Sequence, residues 1–158
     1  MSVSGSIPFI LFGFGVVDSF FESMSGITTT GATVIAGLDD LPKSLLIYRQ
    51  LLQWLGGMGL IVLAIAVMPL LGIGGGQLFK TQTPGPMSEQ RLTPRITSTA
   101  RALWSIYFVL TVLCIFAYRL AGMSYFDAVS HAFSTVSIGG FSTHDLSIGF
   151  FDSLSIEI

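Results

Sequence analysis

Apolar residues in this chain are gathered into long runs that are almost free of charge. No charged residue lies between Arg49 and Lys80, and the run 45–71 exceeds the roughly 20 residues that cross a bilayer. A second uncharged run covers 102–118 and is close to the minimum length for a span. A third run, 7–17, is too short to span. The pattern therefore predicts two transmembrane helices and the remnant of another at the N-terminus.

The composition is typical of a membrane protein and argues against several classes of function. Hydrophobic residues make up 51% of the 158 residues and charged residues only 10%, whereas a soluble domain carries about 25% charge. The net charge of -2 argues against a nucleic-acid partner, which requires a basic surplus. The single cysteine, Cys114, allows neither an internal disulfide nor a zinc site.

The charges around the two predicted spans indicate their orientation. The intervening loop, 72–102, holds four basic residues and one acidic residue: Lys80, Arg91, Arg95, Arg101 and Glu89. The flanking segments are acidic instead, with Asp39 and Asp40 before the first span and Asp127 after the second. Because basic loops stay on the cytoplasmic side, we predict that loop 72–102 is cytoplasmic and that the flanking segments face outward.

The chain contains a repeat with an offset of 109 residues. The window 18–33 aligns with 127–142, and each window lies next to a predicted span on the predicted outer side. The identical pairs are Asp18 with Asp127, Ser25 with Ser134, and Gly31 with Gly140. Each copy combines a short amphipathic segment with a polar run rich in Ser, Thr and Gly. This pattern predicts two half-helices that enter the membrane and turn back.

The polar run after each half-helix is a candidate cation site. Non-helical backbone at membrane depth persists only where it is buried in protein or lines a water-filled cavity. Its carbonyl oxygens can replace the hydration shell of a monovalent cation, and a glycine allows the backbone angles that this requires. We therefore predict filter glycines at Gly31 and Gly140. The predicted ligands are the backbone carbonyls of Thr29, Thr30, Ile138 and Gly139.

Three polar residues stand at the start of the first span, where they are costly unless they face the interface, protein or water. They are Arg49, Gln50 and Gln53. We expect Arg49 to snorkel to the outer interface, with pairing to Asp39 or Asp40 as the alternative.

Other residues have structural interpretations. We expect Asp18 and Asp127 to cap the half-helices, and His131 to have a packing or hydrogen-bonding role. The glycines of the first span are expected at close helix contacts: Gly56, Gly57 and Gly59.

The motifs, taken together, resemble a known family. The stretches FFESMSGITTTGAT, RQLLQWLGGMG, TPGPMSEQRLTPRI and FDAVSHAFSTVSIGGFSTHD are similar to the Trk/Ktr potassium-transporter family over roughly residues 7–155. The resemblance implies four helix–pore loop–helix repeats around one potassium pathway in the bacterial inner membrane. It also implies that Gly31 and Gly140 are filter glycines and that potassium is the transported ion. A homodimer and a cytoplasmic nucleotide-binding regulatory subunit are the implied partners, in addition to the lipid bilayer.

The expected fold is an all-α membrane protein that contains parts of two of the four repeats. Residues 1–17 would be a remnant of an outer helix or loop, and 18–76 would hold the pore helix, filter and second helix of repeat one. Residues 77–100 would be a cytoplasmic connector, and 101–158 the first helix, pore helix, filter and truncated second helix of repeat two. Since two filter strands do not close a four-sided site, we expect the chain to be a fragment that is inactive alone.

The leading hypothesis is therefore potassium uptake through a filter of backbone carbonyls, without enzymatic activity. The alternative is a non-transporting membrane scaffold that packs against partner helices. A scaffold would share the composition, but it would have no reason for glycine-ended polar runs at the same place in two repeats. A membrane-embedded enzyme would need paired ionisable groups within the spans, and the sequence shows none.

Overall fold

A computed structural model describes residues 2–67, 92–153 and 156. The α-helices in these ranges are α1 (Ser2–Phe12), α2 (Val16–Ile27), α3 (Lys43–Val67), α4 (Leu92–Leu120) and α5 (Tyr125–Val136). Two short 3-10 helices, Leu38–Asp40 and Ser147–Phe151, follow the turns after α2 and α5. The described ranges contain no β-strand, and the predicted all-α class is confirmed. Most of the predicted cytoplasmic loop lies outside the described residues.

Helices α3 and α4 contain the two stretches that are long and apolar enough to cross a membrane. These stretches are Lys43–Ala64 and Ser98–Leu120, and they coincide with the two predicted runs. Helix α4 begins at Leu92, inside the segment expected to be a connector. Only 11% of the apolar window of α4 is buried, against 44% for α3, so α3 is central and α4 is peripheral in the described structure.

The two half-helices predicted from the repeat are present as α2 and α5. Each has 12 residues and is therefore about 18 Å long, shorter than the roughly 30 Å hydrocarbon core. Helix α3 packs against both of them, while α1 packs mainly against α2 and α4 mainly against α5. The central helix α3 thus lies in contact with the elements that lead into both polar turns.

Helix α1 is tied to this assembly by polar and apolar contacts. The Ser23 hydroxyl donates to the Ser2 carbonyl oxygen at 2.9 Å, and the Tyr48 hydroxyl donates to the Gly5 carbonyl oxygen at 3.0 Å. Phe9 is fully buried and its ring centroid lies 5.5 Å from that of Tyr48. These contacts fix α1 against α2 and α3.

Two of the three glycines in α3 lie at close contacts with the pore turns. A Cβ atom at Gly56 would overlap the carbonyl oxygen of Ile27, the last residue of α2. At Gly57 it would lie 2.9 Å from the Cβ of Ser137, directly after α5. At Gly59 it would meet no heavy atom within 4 Å in the described structure. The close-packing expectation is therefore confirmed for Gly56 and Gly57, whereas Gly59 has no close contact among the described residues.

We expect Gly56→Ala to destabilise the protein by about 1–3 kcal/mol, because backbone atoms of α2 must move to admit the methyl group. The matched change Gly59→Ala meets open space and should be neutral, or stabilising by up to about 1 kcal/mol, because alanine favours the helix. Thermal unfolding in detergent micelles measures both variants. Equal losses of melting temperature would contradict the packing role of Gly56.

Candidate functional site

The turns after α2 and α5 have the same unusual backbone. Thr29 has φ of 54° and Ile138 has φ of 57°, and these residues occupy equivalent positions in the repeat. Gly31 and Gly140, two residues further on, have φ of 77° and 83°. A β-branched residue with positive φ is an outlier that costs about 1–3 kcal/mol, and such strain clusters at functional sites. Its recurrence in both copies indicates a conformation that the structure maintains.

Equivalent hydrogen bonds close both turns. The backbone N–H of Thr30 donates to the Ser25 carbonyl oxygen at 2.9 Å, and that of Gly139 donates to the Ser134 carbonyl oxygen at 2.8 Å. The offset of 109 residues found in the sequence therefore also relates the backbone geometry of the two turns.

The two turns lie side by side. A Cβ atom at Gly31 would overlap the Gly139 carbonyl oxygen and would lie 3.4 Å from the Cα of Gly140. A cleft of about 290 Å³ borders the second turn, where the Ile138 side chain is 89% exposed. The structure thus brings the residues predicted as filter glycines and ligands into two adjacent turns: Thr29, Thr30, Gly31, Ile138, Gly139 and Gly140.

On each pore helix, one side-chain acceptor hydrogen-bonds to the irregular segment that follows the turn. In the first copy the Thr33 hydroxyl donates to the Glu22 carboxylate at 2.9 Å. In the second copy His131 Nε2 lies 3.1 Å from the Ser142 hydroxyl, at the equivalent positions. His131 Nδ1 lies 3.0 Å from the Asp127 carbonyl oxygen, which can only accept, so we assign the proton to Nδ1. The Ser142 hydroxyl then donates to Nε2.

Burial favours the neutral form of His131. The loss of solvation lowers its pKa, while the hydrogen bond to the Asp127 carbonyl and the Asp127 carboxylate act in the opposite direction. A neutral imidazole at this position accepts the serine hydroxyl, as the carboxylate of Glu22 accepts the threonine hydroxyl in the first copy. The two copies use different acceptors for the same connection.

Arg49 is buried behind the turns and does not snorkel, so that expectation is wrong. Its side chain is 1% exposed and that of Glu22 is fully buried, with Nη2 and Oε1 2.6 Å apart. Nη2 also donates to the Thr33 hydroxyl at 3.0 Å, and the guanidinium lies 4.4 Å from the Phe141 ring centroid. The alternative pairing with Asp39 or Asp40 is wrong as well, because the buried guanidinium pairs with Glu22.

Hydrogen bonds and an ion pair join the loops that follow the two turns. The Asp145 carboxylate accepts hydrogen bonds from the backbone N–H groups of Gly37 and Leu38, each at 3.1 Å. His144 Nδ1 lies 2.5 Å from the Asp39 carboxylate. Through these contacts the second repeat holds the loop of the first.

The expected helix caps are wrong in detail. Ser124 is the N-cap of α5, and its hydroxyl accepts from the backbone N–H of Asp127 at 3.2 Å. The Asp127 carboxylate accepts from the Ser124 hydroxyl at 2.7 Å and from the Thr143 hydroxyl at 2.9 Å. Asp18 lies in the first turn of α2, which Gly15 precedes. Both carboxylates remain near a helix N-terminus, where the dipole favours negative charge.

The pairing of the buried polar groups was not predicted, although the sequence contains signals for it. The repeat alignment places Glu22 opposite His131, and its last position pairs Thr33 with Ser142. Polar residues four positions apart in an apolar span lie on one helix face, which is the signal carried by Arg49 and Gln53.

Two membrane-length helices, two short pore helices and two equivalent turns define a membrane protein built from helix–pore loop–helix repeats. The profile of the TrkH family, described as cation transport protein, matches residues 4–158. The chain belongs to this family.

Several relatives resemble the chain closely. The Trk system potassium uptake protein TrkH of Vibrio parahaemolyticus is 59% identical over 158 residues, which cover 98% of this chain and 33% of that protein. The protein of the same name from Escherichia coli is 56% identical over 156 residues, which cover 97% of this chain and 32% of that protein. The crystal structure of the potassium transporter TrkH from Vibrio parahaemolyticus matches with a TM-score of 0.82 and 56% identity, covering 98% of this chain and 30% of that one. The chain spans about a third of the length of the curated relatives it matches.

We expect Arg49→Met to destabilise the protein by about 3–5 kcal/mol, because it leaves the buried Glu22 carboxylate without its cation. Adding Glu22→Gln should recover part of this loss, since the remaining amide carries no charge. Thermal unfolding of the two single variants and the double variant forms a double-mutant cycle. Strictly additive losses would contradict the pairing.

The neutral state of His131 predicts a pH dependence of stability. The unfolded chain gains a proton on this histidine below about pH 6.5, whereas the folded chain resists it. The contribution is therefore fully present above that pH and is lost as the pH falls toward the lowered folded pKa. We expect the melting temperature to fall on acidification through this window, and to fall less in His131→Gln, which keeps an acceptor oxygen. An identical decline in both proteins would contradict the assignment.

Proposed function

We propose that this chain forms part of a potassium uptake pathway, in which the two adjacent turns supply carbonyl ligands to the ion. The observation that carries the proposal is the duplicated backbone of the turns, with Gly31 placed directly against Gly139. The proposed ligands are the backbone carbonyls of Thr29, Thr30, Ile138 and Gly139. Carbonyl groups in such a turn can replace the hydration shell of a potassium ion at little cost.

The electrostatics of the surrounding elements favour a cation at this place. Each turn follows the C-terminal end of a short helix, Ile27 of α2 and Val136 of α5, where the helix dipole is negative. The outer loops add the carboxylates of Asp39, Asp127 and Asp145, which raise the local concentration of cations. The Arg49 cation is neutralised by its contact with Glu22 and therefore opposes ion entry only weakly.

The proposed setting follows from the family and the charge pattern. The protein would lie in the bacterial inner membrane with loop 72–102 on the cytoplasmic side, and it would transport the ion without chemical conversion. The names of the relatives, potassium uptake proteins of the Trk system, support potassium as the ion. A homodimer and a cytoplasmic nucleotide-binding regulatory subunit belong to the same proposal, from the family resemblance alone.

The proposal is tested in a full-length chimera, in which this chain replaces the matching third of the Vibrio parahaemolyticus relative. Cells without other potassium uptake would be grown at limiting potassium, and rubidium uptake would be measured with and without sodium. We expect the chimera to support growth. Gly31→Ser and Gly140→Ser should abolish it or remove the preference for potassium over sodium, because both glycines have positive φ.

The matched control is Gly59→Ser, at a glycine that has open space around it in the described structure. This variant should reach the membrane and transport as the unsubstituted chimera does. Unchanged uptake and selectivity in both filter variants would contradict the proposal and favour the non-transporting scaffold.

A further inference from the structure

A glutamine of the first repeat contacts the filter turn of the second repeat. Gln53 lies on α3 and is fully buried. Its Oε1 accepts a hydrogen bond from the Ser134 hydroxyl at 2.9 Å and another from the backbone N–H of Phe141 at 3.2 Å. The two donors lie on either side of the Gly139–Gly140 turn in the chain. One side-chain oxygen therefore holds both ends of the second turn.

The same side chain accounts for a difference between the two turns. A Cβ atom at Gly139 would overlap the amide group of Gln53, so the glutamine packs directly on the backbone of the turn. Gly139 does not have a positive φ. Glycine is therefore required here because a side chain would clash with Gln53, and not because of its backbone angles. The equivalent residue in the first turn is Thr30, where a side chain is accommodated. Its hydroxyl lies 2.7 Å from the Thr28 hydroxyl, at hydrogen-bond distance.

Gln53 belongs to one continuous face of α3. Arg49, Gln53, Gly56 and Gly57 follow helical spacing, and each contacts a pore helix end or a turn. Arg49 binds Glu22 behind the first turn and Gln53 binds the second, so this face reaches both copies.

We propose that Gln53 is a positioning residue that sets the ion selectivity of the second filter turn. The inference rests on the proposed function, in which the Ile138 and Gly139 carbonyls bind the ion. By anchoring Ser134 and the Phe141 N–H, the Gln53 oxygen fixes where the intervening carbonyls lie. A filter of carbonyl dipoles distinguishes potassium from sodium through the number and placement of those dipoles. A small displacement of the turn therefore changes selectivity before it abolishes conduction.

Removal of the oxygen has a defined structural consequence. Phe141 is 3% exposed, so its backbone N–H would be buried without an acceptor. Because an unsatisfied buried donor is costly, the backbone segment at Phe141 must shift to reach another acceptor. The shift begins one residue after Gly140 and so acts directly on the proposed ligands.

The experiment uses the full-length chimera described above, at matched amounts in the membrane. Gln53→Met removes the acceptor and keeps the length of the side chain, whereas Gln53→Glu keeps an acceptor oxygen. The matched control is Gln50→Met, on the same helix, because Gln50 is also fully buried and its amide has no hydrogen-bond partner within the described residues. Potassium and sodium are each tested as inhibitors of rubidium uptake. The readout is the sodium concentration that inhibits uptake by half, divided by the corresponding potassium concentration.

We expect Gln53→Met to reduce the preference for potassium about tenfold, equivalent to about 1.4 kcal/mol, with uptake of rubidium retained. Gln53→Glu and Gln50→Met should keep most of the preference. Ser134→Ala removes one of the two donors to the Gln53 oxygen and should lower the preference for potassium by about threefold. This variant also tests the inference if Gln53→Met does not reach the membrane.

An unchanged ratio in Gln53→Met or in Ser134→Ala would overturn the inference while leaving the proposed function intact. An equal loss in Gln50→Met would also overturn it, because the effect would then come from any buried amide on α3. Failure of the unsubstituted chimera to transport potassium would reject the proposed function, and with it the role of Gln53.

Discussion

Backbone that leaves a helix at membrane depth loses its hydrogen-bond partners, and the structure is organised around replacing them. Side chains supply the acceptors for the segments that follow each turn, and those of Glu22, Gln53 and Ser142 are buried. The pairs of N–H donor and side-chain acceptor are Val34 with Glu22, Phe141 with Gln53, His144 with Ser142, and Leu38 with Asp145. The cost of placing polar residues in apolar surroundings is therefore offset by the irregular backbone that they stabilise.

The two repeats share a backbone but not their supporting chemistry. Thr29 and Ile138 adopt the same positive φ, although one side chain is polar and the other apolar. Behind the first turn stands a carboxylate, Glu22, which needs the cation of Arg49, whereas the second turn has the neutral His131. The backbone of the turn is therefore the same in both copies, whereas the side chains that support it differ.

The central position of α3 makes it the common support of both turns. Its glycines admit the end of α2 and the start of the second turn at van der Waals distance, which side chains would prevent. Helix α4, by contrast, presents most of its apolar surface outward, as expected of a helix that meets lipid or further protein. The described part of the chain thus contains two adjacent turns supported by one shared helix, in a chain that spans about a third of its relatives' length.

The sequence alone determined the helical class, both spans, the duplicated half-helices and the glycines of the turns, because hydropathy and repetition are local patterns. It did not determine the partner of Arg49 or the role of Gln53. Glu22 lies 27 residues before Arg49, and Phe141 lies 88 residues after Gln53, so their contacts depend on how α2, α3 and α5 pack. Helix packing decided these pairings, since a buried charge or amide takes whichever partner the fold encloses with it.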